Sequence, residues 1–144
     1  MRLQKMKIHN PGGFTILEVL IAMAIFAIGI LGVAKMQLSA VSGNSSARGM
    51  TEAATVGQQQ IEQLMALPYD DSLLSDTNGD ADAGLDEIAA PDHSAVVDTV
   101  YNVLWNVADD QPIQGAKKIR VIVRWQSSGF AVKQIVFDTV RVSM

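Results

Sequence analysis

An α+β chain, with one long amino-terminal helix packed on a small antiparallel β-sheet, is predicted by three observations. Residues 14–34 form a run of 21 residues in which only Thr15 and Glu18 are polar. The stretch that follows, to Pro68, is rich in Ala, Gln, Glu, Leu and Met, all good helix formers, and the proline supplies a stop. The last third changes to Val, Ile, Tyr and Trp in alternation with polar residues, the period of half-buried strands. With 144 residues, 49% of them apolar and 18% charged, the chain has the composition of a folding protein, and about 110 residues beyond position 34 remain to build one small core. A large multidomain enzyme is excluded.

Residues 1–13 carry Arg2, Lys5 and Lys7, no acid, and a Pro11-Gly12-Gly13 break. The apolar run then gives about 31 Å of helix at 1.5 Å per residue, the thickness of a bilayer's hydrocarbon. It can span a membrane, its basic flank staying cytoplasmic and the carboxy-terminal body lying outside. A cleavable secretory signal has a shorter apolar core and a small-x-small site, and Ser39 and Ala40 behind Lys35 make a poor one. Glu18 is costly at bilayer depth unless it is protonated, paired or close to the interface, so it needs a partner.

The string Gly13-Phe14-Thr15-Ile16-Leu17-Glu18 and its apolar continuation to Val33 resemble the class III signal of type IV pilins and type II secretion pseudopilins. The resemblance implies that a prepilin peptidase cuts between Gly13 and Phe14 on the cytoplasmic side and methylates the new amino terminus, Phe14. It implies also that Glu18 meets the Phe14 amine of a neighbouring subunit during assembly. A buried pair of this kind mainly sets register, because desolvation offsets much of the Coulomb gain. Cleavage creates the cation, which couples processing to assembly. Within the family, Lys35 stands where many major pilins have proline and Ala27 where many have glycine. Ile28-Gly29-Ile30-Leu31-Gly32 and Gln37 are similar to PilV-type minor pilins. The implied partners are the prepilin peptidase, other minor and major pilins, the inner-membrane assembly platform and, before assembly, the lipid bilayer. The implied location is the bacterial inner membrane and then the cell-surface pilus.

In residues 35–67 the helix leaves the membrane, and Met50, Ala54, Ile61, Leu64 and Met65 form a stripe that packs on the sheet. Ser42-Gly43-Asn44-Ser45-Ser46 and Gly49 mark a bend or softened stretch. Residues 68–95 form an acidic loop, and no Lys or Arg occurs between Arg48 and Lys117. Within it, Asp76, Asn78, Asp80, Asp82 and Glu87 are spaced like the ligands of a calcium loop, although Ala81 stands where such a loop turns on glycine. The competing reading is a solvated loop kept extended by its own charge. Residues 96–144 complete the headpiece with three strands at 97–107, 117–126 and 130–142, turning at residues 109–112 and 127–129. In the second strand Ile119, Val121, Val123 and Trp125 share one face, and Lys118, Arg120 and Arg124 the other.

The net charge of −4 becomes about −7 without the leader's three basic groups, so the body repels phosphate backbones and no specific nucleic acid is expected as a partner. There is no cysteine, hence no disulfide or thiolate metal site. His93 beside Asp92 and Ser94 is a loop neighbourhood rather than a triad, and no phosphate or dinucleotide loop is present. No enzymatic activity is expected. The expected function is that of a minor pilin taking part in initiating pilus assembly, and thereby in adhesion, twitching motility or DNA uptake. The alternatives are a minor pseudopilin of a type II secretion system and, from another class, an uncleaved single-pass membrane calcium-binding protein.

Overall fold

The computed structural model of the chain describes residues 12–126 and 131–143. Residues 1–11 of the expected leader and the expected turn at residues 127–129 lie outside them. The elements are a helix α1 (Ile16–Ala66), two 3-10 turns (Ser72–Leu74 and Ala81–Ala83), and strands β1 (His93–Val97), β2 (Tyr101–Asp109), β3 (Ala116–Gln126) and β4 (Val132–Val142). The chain divides into two compact units between Val41 and Ser42. In the first, every described residue is exposed. The second contains residues 42–66 of α1, the sheet and the acidic segment.

The four strands pair in the order β1-β2-β3-β4, each antiparallel to the next. Three strands were expected; the strand read at 97–107 is β2, at Tyr101–Asp109, and the additional strand, β1, takes up His93–Ala95 of the segment read as acidic loop together with Val96 and Val97. Asp98 and Thr99 both take positive φ, 51° and 57°, so the chain reverses between Val97 and Tyr101 without a glycine or an asparagine to announce it. The turn after Asp109 falls where the sequence placed it, with the Gly115 N–H donating to the Asp110 carboxylate at 2.8 Å.

The core lies between α1 and one face of the sheet. Ala53 and Leu64 meet Tyr101, Val103, Trp105, Val107, Ile119, Val121, Val123 and Trp125, with Val56, Ile61, Ile135 and Phe137 at the margin. The expected face of β3 is thus the core face. Of the expected helix stripe, Leu64 is buried and Ile61 packs at the core margin, but Met50 and Met65 are 53% and 39% exposed, and Ala53 and Gly57 are buried instead. The reason is space. A Cβ on Gly57 would run into the Phe137 ring, and one on Gly49 would lie 3.2 Å from the Trp125 indole nitrogen. The sheet brings the large side chains, so the helix must bring small ones. The expected softening at residues 42–46 does not interrupt α1, and the Ser46 hydroxyl accepts a hydrogen bond from Lys133.

Contacts along α1 set the strand directions. The Tyr101 hydroxyl donates to Glu52 at 2.9 Å, and Arg141 donates to the Leu64 carbonyl at 3.0 Å and also to the Leu67 carbonyl. β2 and β4 therefore run in the same sense as residues 42–66, and β1 and β3 run against it.

The acidic segment is bound to the sheet rather than spread in solvent. Leu74 and Leu85 are buried. Trp105 Nε1 donates to the Leu73 carbonyl, and Lys117 Nζ to the Leu74 carbonyl and the Asp109 carboxylate. On the opposite face, the buried Asn106 amide donates to the Leu85 and Glu87 carbonyls while its oxygen accepts from the Asp92 N–H. Asp92 in turn accepts from the Thr77 and Val107 N–H groups, both at 2.8 Å. Side-chain amide and carboxylate atoms thus satisfy loop backbone that would otherwise be stranded at the sheet. Self-repulsion is answered by cations of β3: Lys118 pairs with Asp82 at 2.8 Å, and Arg120 holds Asp86 at 2.5 Å and Asp138 through two bonds of 2.6 Å.

Two outcomes test this packing. Gly57→Ala gains helix propensity but forces a methyl into the Phe137 ring, so denaturant unfolding should show a net loss of about 1–2 kcal/mol, relieved by adding Phe137→Leu. The Arg120 hydrogen bonds hold the Asp138 carboxyl below its usual range. Stability from this group is present above the unfolded aspartate value of about 3.9 and is lost as pH falls through the lower folded value. Asp138→Asn should flatten that acid limb of a stability–pH curve, by no more than ~1 kcal/mol because the pair faces solvent.

Candidate functional site

Residues 12–15 precede the helix in non-helical conformation, and Ile16 opens it. Thr15 is the cap: its hydroxyl accepts from the Glu18 N–H at 3.2 Å and its carbonyl from the Val19 N–H at 3.2 Å. The Thr-x-x-Glu spacing is the sequence signature of such a start. Glu18 lies in the first turn, where the positive end of the helix dipole favours a carboxylate.

The bond between Gly13 and Phe14 therefore lies outside the helix, in exposed chain. Among the described residues nothing is within 4 Å of where a Cβ would stand on Gly12 or Gly13, so no packing among them demands glycine at either position. Phe14 is 84% exposed. Phe14 and Glu18 line one shallow groove on the helix, together with Val19, Ala22, Met23 and Phe26. Among the described residues the Glu18 carboxylate has no ion-pair partner. From Ile16 to Val33 the large apolar side chains stand open, and the helix is long and apolar enough to cross a membrane.

The structure places the calcium candidates in a curled turn. Both carboxylate oxygens of Asp76 accept from loop backbone, the Gly79 N–H at 2.6 Å and the Ala81 N–H at 2.9 Å. The Asn78 amide donates to Asp80 at 2.6 Å, and the Asp80 N–H returns to the Asn78 oxygen. Asp82 turns to Lys118, and the Glu87 carbonyl accepts from Asn106. Ala81 takes φ 52° and Gly79 φ 74°, so the reversal uses both residues. Among the described residues, no three His, Asp or Glu groups are assembled as ligands of one ion.

The basic residues of β3 are engaged in the same way. Lys117, Lys118 and Arg120 all hold acids of this chain. His93 stacks on Trp105 with ring centres 5.4 Å apart, and its Nε2 lies 3.0 Å from the Ser75 carbonyl, so it serves packing. Sequence reasoning missed the polar centre formed by Asp92 and Asn106, since neither residue differs by type or spacing from an ordinary loop or strand polar residue. A cluster at Arg48, Glu52 and Tyr101 was missed for the same reason. There Arg48, and then the Tyr101 hydroxyl, hold the Glu52 carboxyl below its usual range, while burial, and then Glu52, push the Tyr101 hydroxyl up.

Residues 8–34 match the prokaryotic N-terminal methylation motif. Neither the curated proteins nor the solved structures contain a significant match to the chain. The motif implies processing by a prepilin peptidase and assembly with other pilins, and it points to a structural subunit rather than an enzyme. Together with the exposed apolar helix it fits a membrane-anchored protein, and with the helix-on-sheet architecture it supports a protein of the type IV pilin-like kind.

Proposed function

We propose that the chain is a minor pilin of a bacterial type IV pilus, of the PilV-like kind, held in the inner membrane by residues 14–34 until it enters the filament. The observation that carries this reading is the motif at residues 8–34 on a chain whose apolar side chains from Phe14 to Val41 are exposed. Lys35, Ala27 and Gly29-Ile30-Leu31-Gly32 supply the minor-pilin assignment. The basic leader stays cytoplasmic and the headpiece is periplasmic. Cleavage after Gly13 frees the Phe14 amine, and the Glu18 carboxylate of a neighbour receives it. In the low dielectric of the membrane or filament core that pairing relieves the cost of a lone charge. The subunit takes part in initiating assembly.

Calcium binding at Asp76, Asn78, Asp80, Asp82 and Glu87 is a separate proposal resting on their spacing. Titration calorimetry with millimolar calcium decides it, heat of binding supporting the site and its absence removing it.

Mass spectrometry of the protein isolated from cells making pili should find N-methylated Phe14 as the first residue, and a chain still carrying residues 1–13 would remove the reading. Glu18→Ala should be cleaved as the wild type is but enter filaments at least tenfold less, since an uncompensated amine is left buried. Loss of the gene should reduce piliation; unchanged piliation with lost protein secretion would assign the subunit to a type II secretion system instead.

A further inference from the structure

We infer that the two edges of the sheet are built for one another: β4 of one subunit pairs antiparallel with β1 of a second copy, Val136 opposite Val96. This rests on the reading that subunits are anchored through residues 14–34. Among the described residues, β4 pairs with β3 alone and β1 with β2 alone, so the sheet has two open edges. An open edge presents unpaired N–H and C=O groups, and the ligand that fits them is another strand.

Three observations select a second copy. Direction comes first. In copies anchored in one membrane the chain enters every headpiece from the anchor at the same end, Ser42. β4 runs away from that end and β1 runs toward it, so β4 beside β1 of a neighbour is antiparallel without inverting either subunit. An antiparallel pairing of β4 with β4 would require one copy to be upside down. Side-chain parity comes second. Even-numbered residues of both strands lie on the sheet face away from α1, since Val96 pairs with Asn102 and Val136 with Ile122. Joining the two edges with Val136 opposite Val96 keeps that face continuous and covers two valines that are 42% and 69% exposed. The same register sets Ile135 and Phe137 opposite Val97 and Ala95 on the other face, apolar against apolar. Charge is third. Lys133, whose ammonium reaches the Ser46 hydroxyl, comes beside the turn that carries the exposed Asp98. Neither has an ion-pair partner among the described residues.

The test is disulfide cross-linking of the full chain in its native membrane, which is free of background because the sequence has no cysteine. Within one subunit, positions 96 and 136 are three strand spacings apart, about 14 Å, beyond the reach of a disulfide. Oxidation of the Val96→Cys/Val136→Cys chain should therefore give a ladder of multimers, and Val96→Cys/Val140→Cys, four residues out of register, should not. Lys133→Glu should lower the ladder yield about 2–5-fold, and Asp98→Lys in the same chain should restore it. No ladder from a chain with a normal circular-dichroism spectrum overturns the inference. So does a dimer from Val136→Cys alone, which would mean a two-fold β4 contact, or a bond from the thiol introduced at position 136 to a different protein. The mass of the mature amino terminus, measured on the same samples, reports the pilin reading independently, so loss of one can be told from loss of the other.

Discussion

The fit of small helix residues under large sheet residues is the constraint on which the headpiece depends. Ala53 and Gly57 present almost no side chain where Val123 and Phe137 come down, and Gly49 does the same beneath Trp125. A close approach lets β2 and β3 bury alternate side chains completely, from Val103 to Val107 and from Ile119 to Trp125. Close packing of this kind gains dispersion contacts that a looser seating would forfeit. It also fixes the strand directions along residues 42–66 of α1, and with them which end of each edge strand lies toward Ser42.

Charge is distributed to suit the same arrangement. Nearly all the acids of the middle of the chain precede β1, and the cations that answer them follow on β3. Lys117, Lys118 and Arg120 face both ways because a strand alternates, so Lys117 holds the segment near Leu74 on the core side and the other two hold Asp82 and Asp86 on the far side. Such exposed pairs contribute little each. Their greater effect is to make a run of carboxylates compatible with a folded segment whose anchors are Leu74, Leu85 and the Asn106 amide.

The two units answer to different solvents. In the second, a core of apolar side chains is covered by the chain itself. In the first they are open from Phe14 to Val41, and the one carboxylate among them lies in the first turn, beside the bond at which processing is proposed. Such an open apolar surface calls for lipid or other subunits around it, the setting in which the proposed cleavage and the proposed pairing of Glu18 act together.

The sequence alone determined the amino-terminal motif, the helix and its stop near Pro68, the strand character of the last third and the core face of β3. These follow from local rules: apolar run length, helix propensity, proline and two-residue alternation. The tertiary structure alone decided which helix residues face the sheet, because the choice of Gly57 over Met50 depends on Phe137, far away in the chain. It decided the fourth strand, since β1 is defined by its pairing with β2 across the turn at Asp98 and Thr99. It also decided the state of the acidic segment. Like charges in sequence repel, and only folding brings Lys118 and Arg120 across to them.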